Sequence, residues 1–297
     1  MTSPATTRTG SFPIGCRLAS ELAKKSPRDA AAWALPQGLS VIDLYAAHTP
    51  QLAEWQAAGF TVGTLDLFGA GANWTDMLSA DAGKRRHAVA HAAQLIRAAT
   101  AVGVNKFFTL MLAEDVKLKR RETFNYMVES YGQLTDVLKE TGGRIAIEGW
   151  PGCNAHCCNP ESYRAFLQAM NSDSFGINFD PSHLIRMGID PVRFLEEFGH
   201  RVVHMHGKDT WLDAGRIYDI GREQDAVFAE GLPWGGWFWR YTIPGHGVAP
   251  WTKLFEILAR KGYKGTVCIE LEDLNFNGTD AGEQRGFCAG RDFLQTA

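Results

Sequence analysis

The 297-residue sequence has no stretch approaching the ~18 consecutive apolar residues that a membrane-crossing helix needs. Its opening, MTSPATTRTGSFPIG, lacks the apolar core of a secretory signal. A cytoplasmic location and no membrane partner are therefore expected, with residues 1–11 reading as a flexible lead-in. An excess of one charge is also missing. The net charge of −3 offers no electrostatic attraction to nucleic acid, and none is expected as a partner. No G-x-G-x-x-G turn follows the first β-rich run, which disfavours a dinucleotide-binding open sheet. Cysteine is sparse, with six in the chain, and no pair of CxxC motifs could hold a structural zinc ion. Cys153, Cys157 and Cys158 crowd around His156 in GCNAHCC, but at a spacing that matches no ordinary zinc knuckle. The six read as reduced thiols, Cys16 and Cys268 as small core residues.

Low-complexity linkers are absent too, so residues 1–297 read as a single domain. What is present is an alternation. Short β-rich runs (FPIGCRL, SVIDLYA, TVGTLDLFG, KFFTLML, RIAIEGW, FGINFD, RVVHMHGKD and TVCIELED) are separated by longer segments with apolar residues at three- and four-residue steps. Several of these helical segments open on a cap followed by proline, as at Thr49-Pro50, Asn159-Pro160 and Asp190-Pro191. Gly59, Gly142 and Gly262 mark stops. Eight such units predict an α/β fold of (β/α)8 TIM-barrel type. One interruption, residues 210–248 after the seventh strand, is longer than a βα loop requires. It carries GLPWGGWFWRYTIPGHG and reads as a Trp-rich lid or substrate wall, because βα loops open onto the active face.

The C-terminal ends of barrel strands converge on one rim, and four successive strands carry potential ligands there. These are Glu148 in IAIEGW, Asp180 in INFDPSHL, His206 in HMHGKD and Glu270 in CIELED. A mixed oxygen and nitrogen set suits one divalent ion, Mn²⁺ first, with Co²⁺, Mg²⁺, Fe²⁺ or Zn²⁺ as alternatives. Three carboxylates brought this close would raise one another's pKa unless a cation neutralised them. His204 shares a strand face with His206, and Glu272, the fallback ligand, shares one with Glu270. His183 lies just past Asp180, where it could donate to a substrate hydroxyl or add a ligand. Lys208 could place positive charge beside an oxyanion or pair with Asp209. In the insertion, Trp234, Trp237, Trp239, Arg240 and His246 are the candidate substrate contacts. Sugar faces stack on such rings, and the scarcity of basic residues favours a neutral small-molecule sugar over a phosphorylated one.

The motifs IAIEGW, INFDPSHL, VVHMHGKD and GYKGTVCIELED, with the PGHG turn before APWTKLFEIL, resemble those of the xylose-isomerase-like TIM barrels, a family of sugar phosphate isomerases and epimerases. The resemblance implies metal ligands at Glu148, Asp180, His206 and Glu270, and a substrate-contacting histidine at His183. It further implies that Glu148 and Glu270 act as the acid and base on either face of a carbon next to a ketone, through an enediolate. The insertion is similar to that of relatives acting on 3-keto-sugars or 3-keto-glycosides, some by epimerisation and some by eliminating the aglycone, so a lyase is the alternative. A homo-oligomer, dimer or tetramer, is implied as well. Three rivals stand against this reading. An abasic-site endonuclease needs further ligands, yet the insertion has no close Asp-x-His. A non-catalytic barrel subunit has no need of four retained ligands. A two-metal aldose isomerase working by hydride shift rests on Glu272 and Asp273.

Overall fold

The computed structural model describes residues 3–18 and 21–297. Met1 and Thr2, the first residues of the lead-in, lie outside the described residues, as do Ala19 and Ser20. Eight parallel strands form the barrel: β1 (Ile14–Arg17), β2 (Val41–Leu44), β3 (Thr61–Asp66), β4 (Lys106–Leu112), β5 (Arg144–Glu148), β6 (Phe175–Phe179), β7 (Val202–Gly207) and β8 (Val267–Ile269). Each pairs with its neighbours in sequence, and β1 with β8 closes the ring through Cys16 opposite Ile269. Each of the eight expected strands contains its observed counterpart, and the fold is the (β/α)8 barrel that their number predicted.

Local chemistry starts the helices where caps are available. The Asn159 side chain accepts from Ser162 N and Asp190 from Val192 N, each with proline at the first helical position. Thr49-Pro50 behaves differently. It lies inside a 3-10 stretch, Ala46–Gln51, where the Thr49 hydroxyl donates back to Ala46 O, and the α-helix begins at Leu52. Trp55, Phe107, Tyr131, Phe166, Phe175, Phe255 and Phe287 pack between strands and outer helices, all essentially without solvent contact.

Residues 3–12 are tied down rather than loose. Ala5 N bonds Gly38 O, Thr9 N bonds Ala297 O, and the Phe12 ring meets Phe255 and Tyr263 edge-on. Cys16 and Cys268 are buried, and Cys157 and Cys158 are buried with their thiols directed at the Ser162 and Ala155 carbonyls. Among the described residues, no helix is long and apolar enough to cross a membrane.

The insertion after β7 folds as an antiparallel hairpin, Asp209–Leu212 against Trp239–Thr242, with a helix at Ala214–Ile220. Asp209 closes it. Its Oδ1 accepts from Thr210 N (2.8 Å) and Ala249 N (2.9 Å), and its Oδ2 from Gly245 N (3.1 Å) and Trp251 Nε1 (2.8 Å). The PGHG turn approaches so closely that a Cβ on Gly247 would stand 2.2 Å from Asp209 Oδ1, which requires glycine there. Asp209→Ala leaves four buried or half-buried donors without their acceptor and should cost about 3 kcal/mol in urea unfolding. Asp209→Asn, which keeps one acceptor oxygen, should cost clearly less.

Candidate metal centre and substrate cavity

Four of the expected residues meet at the C-terminal rim. Glu148 ends β5, Asp180 follows β6, His206 lies in the last turn of β7 pairing, and Glu270 follows β8. Local structure orients each one. Asp180 caps the helix Pro181–Arg186, and its Oδ1 accepts from Ser182 N at 2.8 Å. That bond turns Oδ2 toward the site, where it is buried without a hydrogen-bond partner. Strand register sets Glu148 beside Asn178, whose Nδ2 donates to Glu148 Oε2 at 2.5 Å.

Two histidines bracket these carboxylates. His206 Nδ1 stands 2.6 Å from Glu148 Oε2 and 3.3 Å from Glu270 Oε2. Its ring stacks on Phe108 with centroids 5.4 Å apart. Both ring nitrogens of His206 are buried without a directed hydrogen bond. His183 Nε2 lies 3.0 Å from Glu148 Oε1 and 3.4 Å from Asp180 Oδ2, while its Nδ1 is 2.7 Å from the Tyr241 hydroxyl. His183 is thus already partnered on both nitrogens, whereas His206 Nδ1 faces the Glu148 and Glu270 carboxylates in a charge contact rather than a directed hydrogen bond.

Behind His206 lies a group that sequence reasoning missed. Asp43, fully buried, accepts from Thr64 N at 2.8 Å through Oδ1; its Oδ2 lies 2.9 Å from His204 Nε2 and 3.5 Å from His206 Nε2. A carboxylate behind a ligand histidine fixes its ring and tautomer. Burial opposes the charge on Asp43, but His204 and His206 outweigh it and hold the carboxyl well below the usual range. Asp43 sits in the middle of SVIDLYA, where an acid inside an apolar strand was the available signal.

Cations are few and fully engaged. The Lys208 ammonium lies 2.5 Å from Glu270, 3.0 Å from Glu272 and 3.3 Å from Asp180, not against Asp209. Arg17 grips Asp66 with both terminal nitrogens (2.9 and 3.0 Å), and its Nε stands 3.2 Å from Glu270. Burial disfavours the Glu270 carboxylate, yet Lys208, His206 and Arg17 hold it well below the ordinary range. Burial likewise works against Glu148, and His206 and His183 reverse that. Asp66 goes the other way, pushed by burial up to about 6 against the pull of Arg17.

The donors suit a divalent ion. One atom from each of Glu148, Asp180, His183 and Glu270 falls within a 4.8 Å cluster, and Asp43, His204 and His206 form a second. His206 joins the two through its separate nitrogens. Bonds of about 2.1 Å place neighbouring donors about 3 Å apart, which matches the separations of His206 Nδ1 from Glu148 and from Glu270. A carboxylate oxygen and a ring nitrogen that face this space without a directed hydrogen bond complete the fit.

Above the cluster opens a cavity of about 520 Å³, with Glu148, Lys208, Glu270 and Glu272 on its floor and Tyr45, Phe68, Trp74, Phe108 and Trp150 around it. Asp180, His183 and His206 lie behind that lining. The insertion contributes less than its composition suggested. Trp234, Trp237, Trp239, Arg240 and His246 are all outside the cavity lining. Trp237 Nε1 donates to Asp225, Trp239 packs on Arg186 and Tyr241, Arg240 pairs with Asp273, and His246 rests near Phe276. Trp234 is exposed, Trp237 ties the insertion to itself, and Trp239, Arg240 and His246 tie it to Arg186, Asp273 and Phe276 of the barrel. Its link to the centre is Tyr241, through His183. Of the aromatic walls, Trp150 alone carried a local signal, two residues beyond Glu148; Tyr45, Phe68, Trp74 and Phe108 come from other loops and strands.

An eight-stranded βα barrel that gathers acids and histidine at its C-terminal rim defines the class. The chain belongs to the xylose isomerase-like TIM-barrel family, whose model matches residues 38–295. Inosose dehydratase of Glaesserella parasuis is 28% identical over 154 residues, 51% of this chain and 48% of that protein. The chain spans about half the length, or less, of the curated relatives it matches first. Among solved structures, 3-keto-D-glucoside 4-epimerase from E. coli superposes with a TM-score of 0.70 at 15% identity, over 96% of this chain and 99% of that one. The IolI protein with a bound zinc atom gives 0.67 at 17% identity, over 95% and 97%. These relatives include sugar-processing enzymes, and the structural likenesses establish the shared fold.

Mn²⁺ at a hundredfold its Kd should stabilise the native state by about 2.7 kcal/mol, read as a rise in Tm. Asp180→Asn and His206→Gln should each abolish most of that rise. An undiminished rise in both would remove these residues from the ligand set.

Proposed function

We propose that this protein is a divalent-metal-dependent isomerase or epimerase. It removes a proton from the carbon beside the ketone of a keto-sugar or 3-keto-glycoside and returns one to a new position or the opposite face. The observation that carries the reading is the convergence of Glu148, Asp180, His206 and Glu270 from consecutive strands, with both glutamates open to the cavity. Asp180 and His206 would chiefly hold the ion, with Glu148 and Glu270 as further ligands and Mn²⁺ as the first choice. When bound, such an ion polarises substrate oxygens and stabilises the negative charge that develops on them.

The protein's own groups do the rest. Glu148 and Glu270 exchange protons with the substrate carbon, and their neighbours hold both ionised at neutral pH, as a base must be. Asn178 and His183 fix the Glu148 carboxylate on its two oxygens. Lys208, held between Glu270 and Glu272, keeps a positive charge at the cavity floor. Trp74, Trp150 and Phe68 offer apolar faces to a sugar ring. Arg17 and Lys208 are already committed to carboxylates, so a neutral sugar suits this cavity better than a phosphorylated one. Tyr218 and Phe228, 90% and 98% exposed on the insertion, offer apolar surface for a homo-oligomeric contact, which light scattering measures.

Elimination is the second reading, favoured by the likeness to inosose dehydratases. It begins with the same proton abstraction and expels water or an aglycone in place of reprotonation. A screen of ketohexoses and 3-keto-glucosides with Mn²⁺ in heavy water separates the two. Deuterium beside the carbonyl of an intact sugar supports epimerisation or isomerisation, whereas a released aglycone or a dehydrated product supports the lyase. Glu148→Gln and Glu270→Gln should each slow exchange by about 10²- to 10⁴-fold; full activity in either removes it from the pair. Trp150→Ala should raise KM several-fold, and Trp237→Ala should leave it unchanged. No exchange and no elimination with any of these ketones would sink the proposal.

A further inference from the structure

The opposite end of the barrel carries a second concentration of charge, of the other sign. β4 begins at Lys106 and β5 at Arg144, while the turn before β7 carries His200 and the segment before β8 carries Lys261 and Lys264. These five line a cavity of about 370 Å³ that no carboxylate lines. None of them is in an ion pair among the described residues. Arg144 Nε donates to the Asp173 carbonyl at 3.2 Å and Lys261 to the Glu196 carbonyl at 2.7 Å, both neutral acceptors. The side chains of Lys106, His200 and Lys264 make no hydrogen bond or ion pair among the described residues, although the Asp43 carboxylate acts on Lys106 from a distance.

The nearest acids are already taken. The Asp173 carboxylate is held by Arg201 at 2.9 Å and Glu196 by Arg260 at 2.6 Å. Burial pulls the Lys106 ammonium below its ordinary range, Asp43 opposes this only in part, and Arg144 adds to the pull. Burial acts on Arg144 in the same direction, reinforced by Arg201. Residues at this end of a barrel ordinarily serve stability, but cations crowded around one cavity with no carboxylate in its lining and no direct ion pair oppose it. The arrangement makes sense once an anion sits among them.

We propose that this cavity binds the phosphate group of a small molecule, at a site separate from the catalytic rim. A guanidinium takes phosphate oxygens in pairs, and lysine ammoniums add point charges around them. The volume exceeds what a lone phosphate fills and leaves room for the organic part of a phosphomonoester or for a diphosphate. The site needs no turnover to be detected, so its fate is independent of the reaction proposed above.

The test is calorimetric titration of the full-length, Mn²⁺-loaded protein with glucose 6-phosphate, pyrophosphate and inorganic phosphate at fixed ionic strength. Saturable one-to-one binding is expected. Lys264→Ala and Arg144→Gln should each weaken it about tenfold or more, the loss of one charge-assisted contact. Lys264 is exposed, so its replacement leaves folding intact. Glu148→Gln, at the other end of the barrel, should leave the affinity within about twofold, since it lacks any contact with this cavity. Tighter binding of glucose 6-phosphate identifies an organic phosphate as the ligand, and tighter binding of inorganic phosphate identifies the free ion. Affinity lost in Glu148→Gln but kept in both cationic variants would move the anion to the metal centre and overturn the proposal. Absence of saturation by all three up to about 10 mM would overturn it too.

Discussion

Like charges crowded out of water are the constraint on which the C-terminal rim of this barrel depends. Asp180, Glu270 and Glu272 converge on one fixed ammonium, that of Lys208, while Glu148 meets His206 and His183 and Arg17 is shared between Glu270 and Asp66. Burial alone would drive such carboxyls toward their neutral forms. Their cationic neighbours keep Glu148 and Glu270 ionised, and a divalent ion at the same point would complete the compensation. The orphaned Asp180 Oδ2 and His206 Nδ1 are the local expression of that demand.

The support for this cluster is layered. Helix capping turns Asp180, strand register aligns Asn178 with Glu148, and Asp43 stands behind both His204 and His206. Each device uses rigid strand or helix termini rather than loops, which is how a site is held to small tolerances. The long insertion works at one remove. Asp209 anchors its ends, and the Tyr241 hydroxyl reaches His183, which in turn touches Glu148 and Asp180. A disturbance of the hairpin therefore reaches the carboxylate cluster through Tyr241, by its hydroxyl to His183 and by its ring against Lys208.

The family relationship fits a shared first step more readily than a shared product. Proton removal beside a ketone precedes both epimerisation and elimination, and under the proposed function the rim residues would serve either. Which outcome follows depends on where a second proton donor stands relative to the leaving group. That is a matter of cavity shape, and the walls here come from Tyr45, Phe68, Trp74, Phe108 and Trp150.

Periodicity and turn chemistry are local, so the eight strands, the caps at Asn159 and Asp190 and the stops at Gly59, Gly142 and Gly262 could be read from the chain directly. The acids and histidines at strand ends were legible for the same reason, because parallel strands in a barrel share one C-terminal rim. Partnerships across the barrel were not. Arg17 with Asp66, Asp43 with His206 and Tyr241 with His183 join residues 49, 163 and 58 positions apart, and no local pattern encodes them. The tryptophans of the insertion were read as substrate contacts on composition alone. Only the closed barrel and the paired hairpin decided which aromatic rings face the cavity, because the direction of a side chain follows from what its backbone is hydrogen-bonded to.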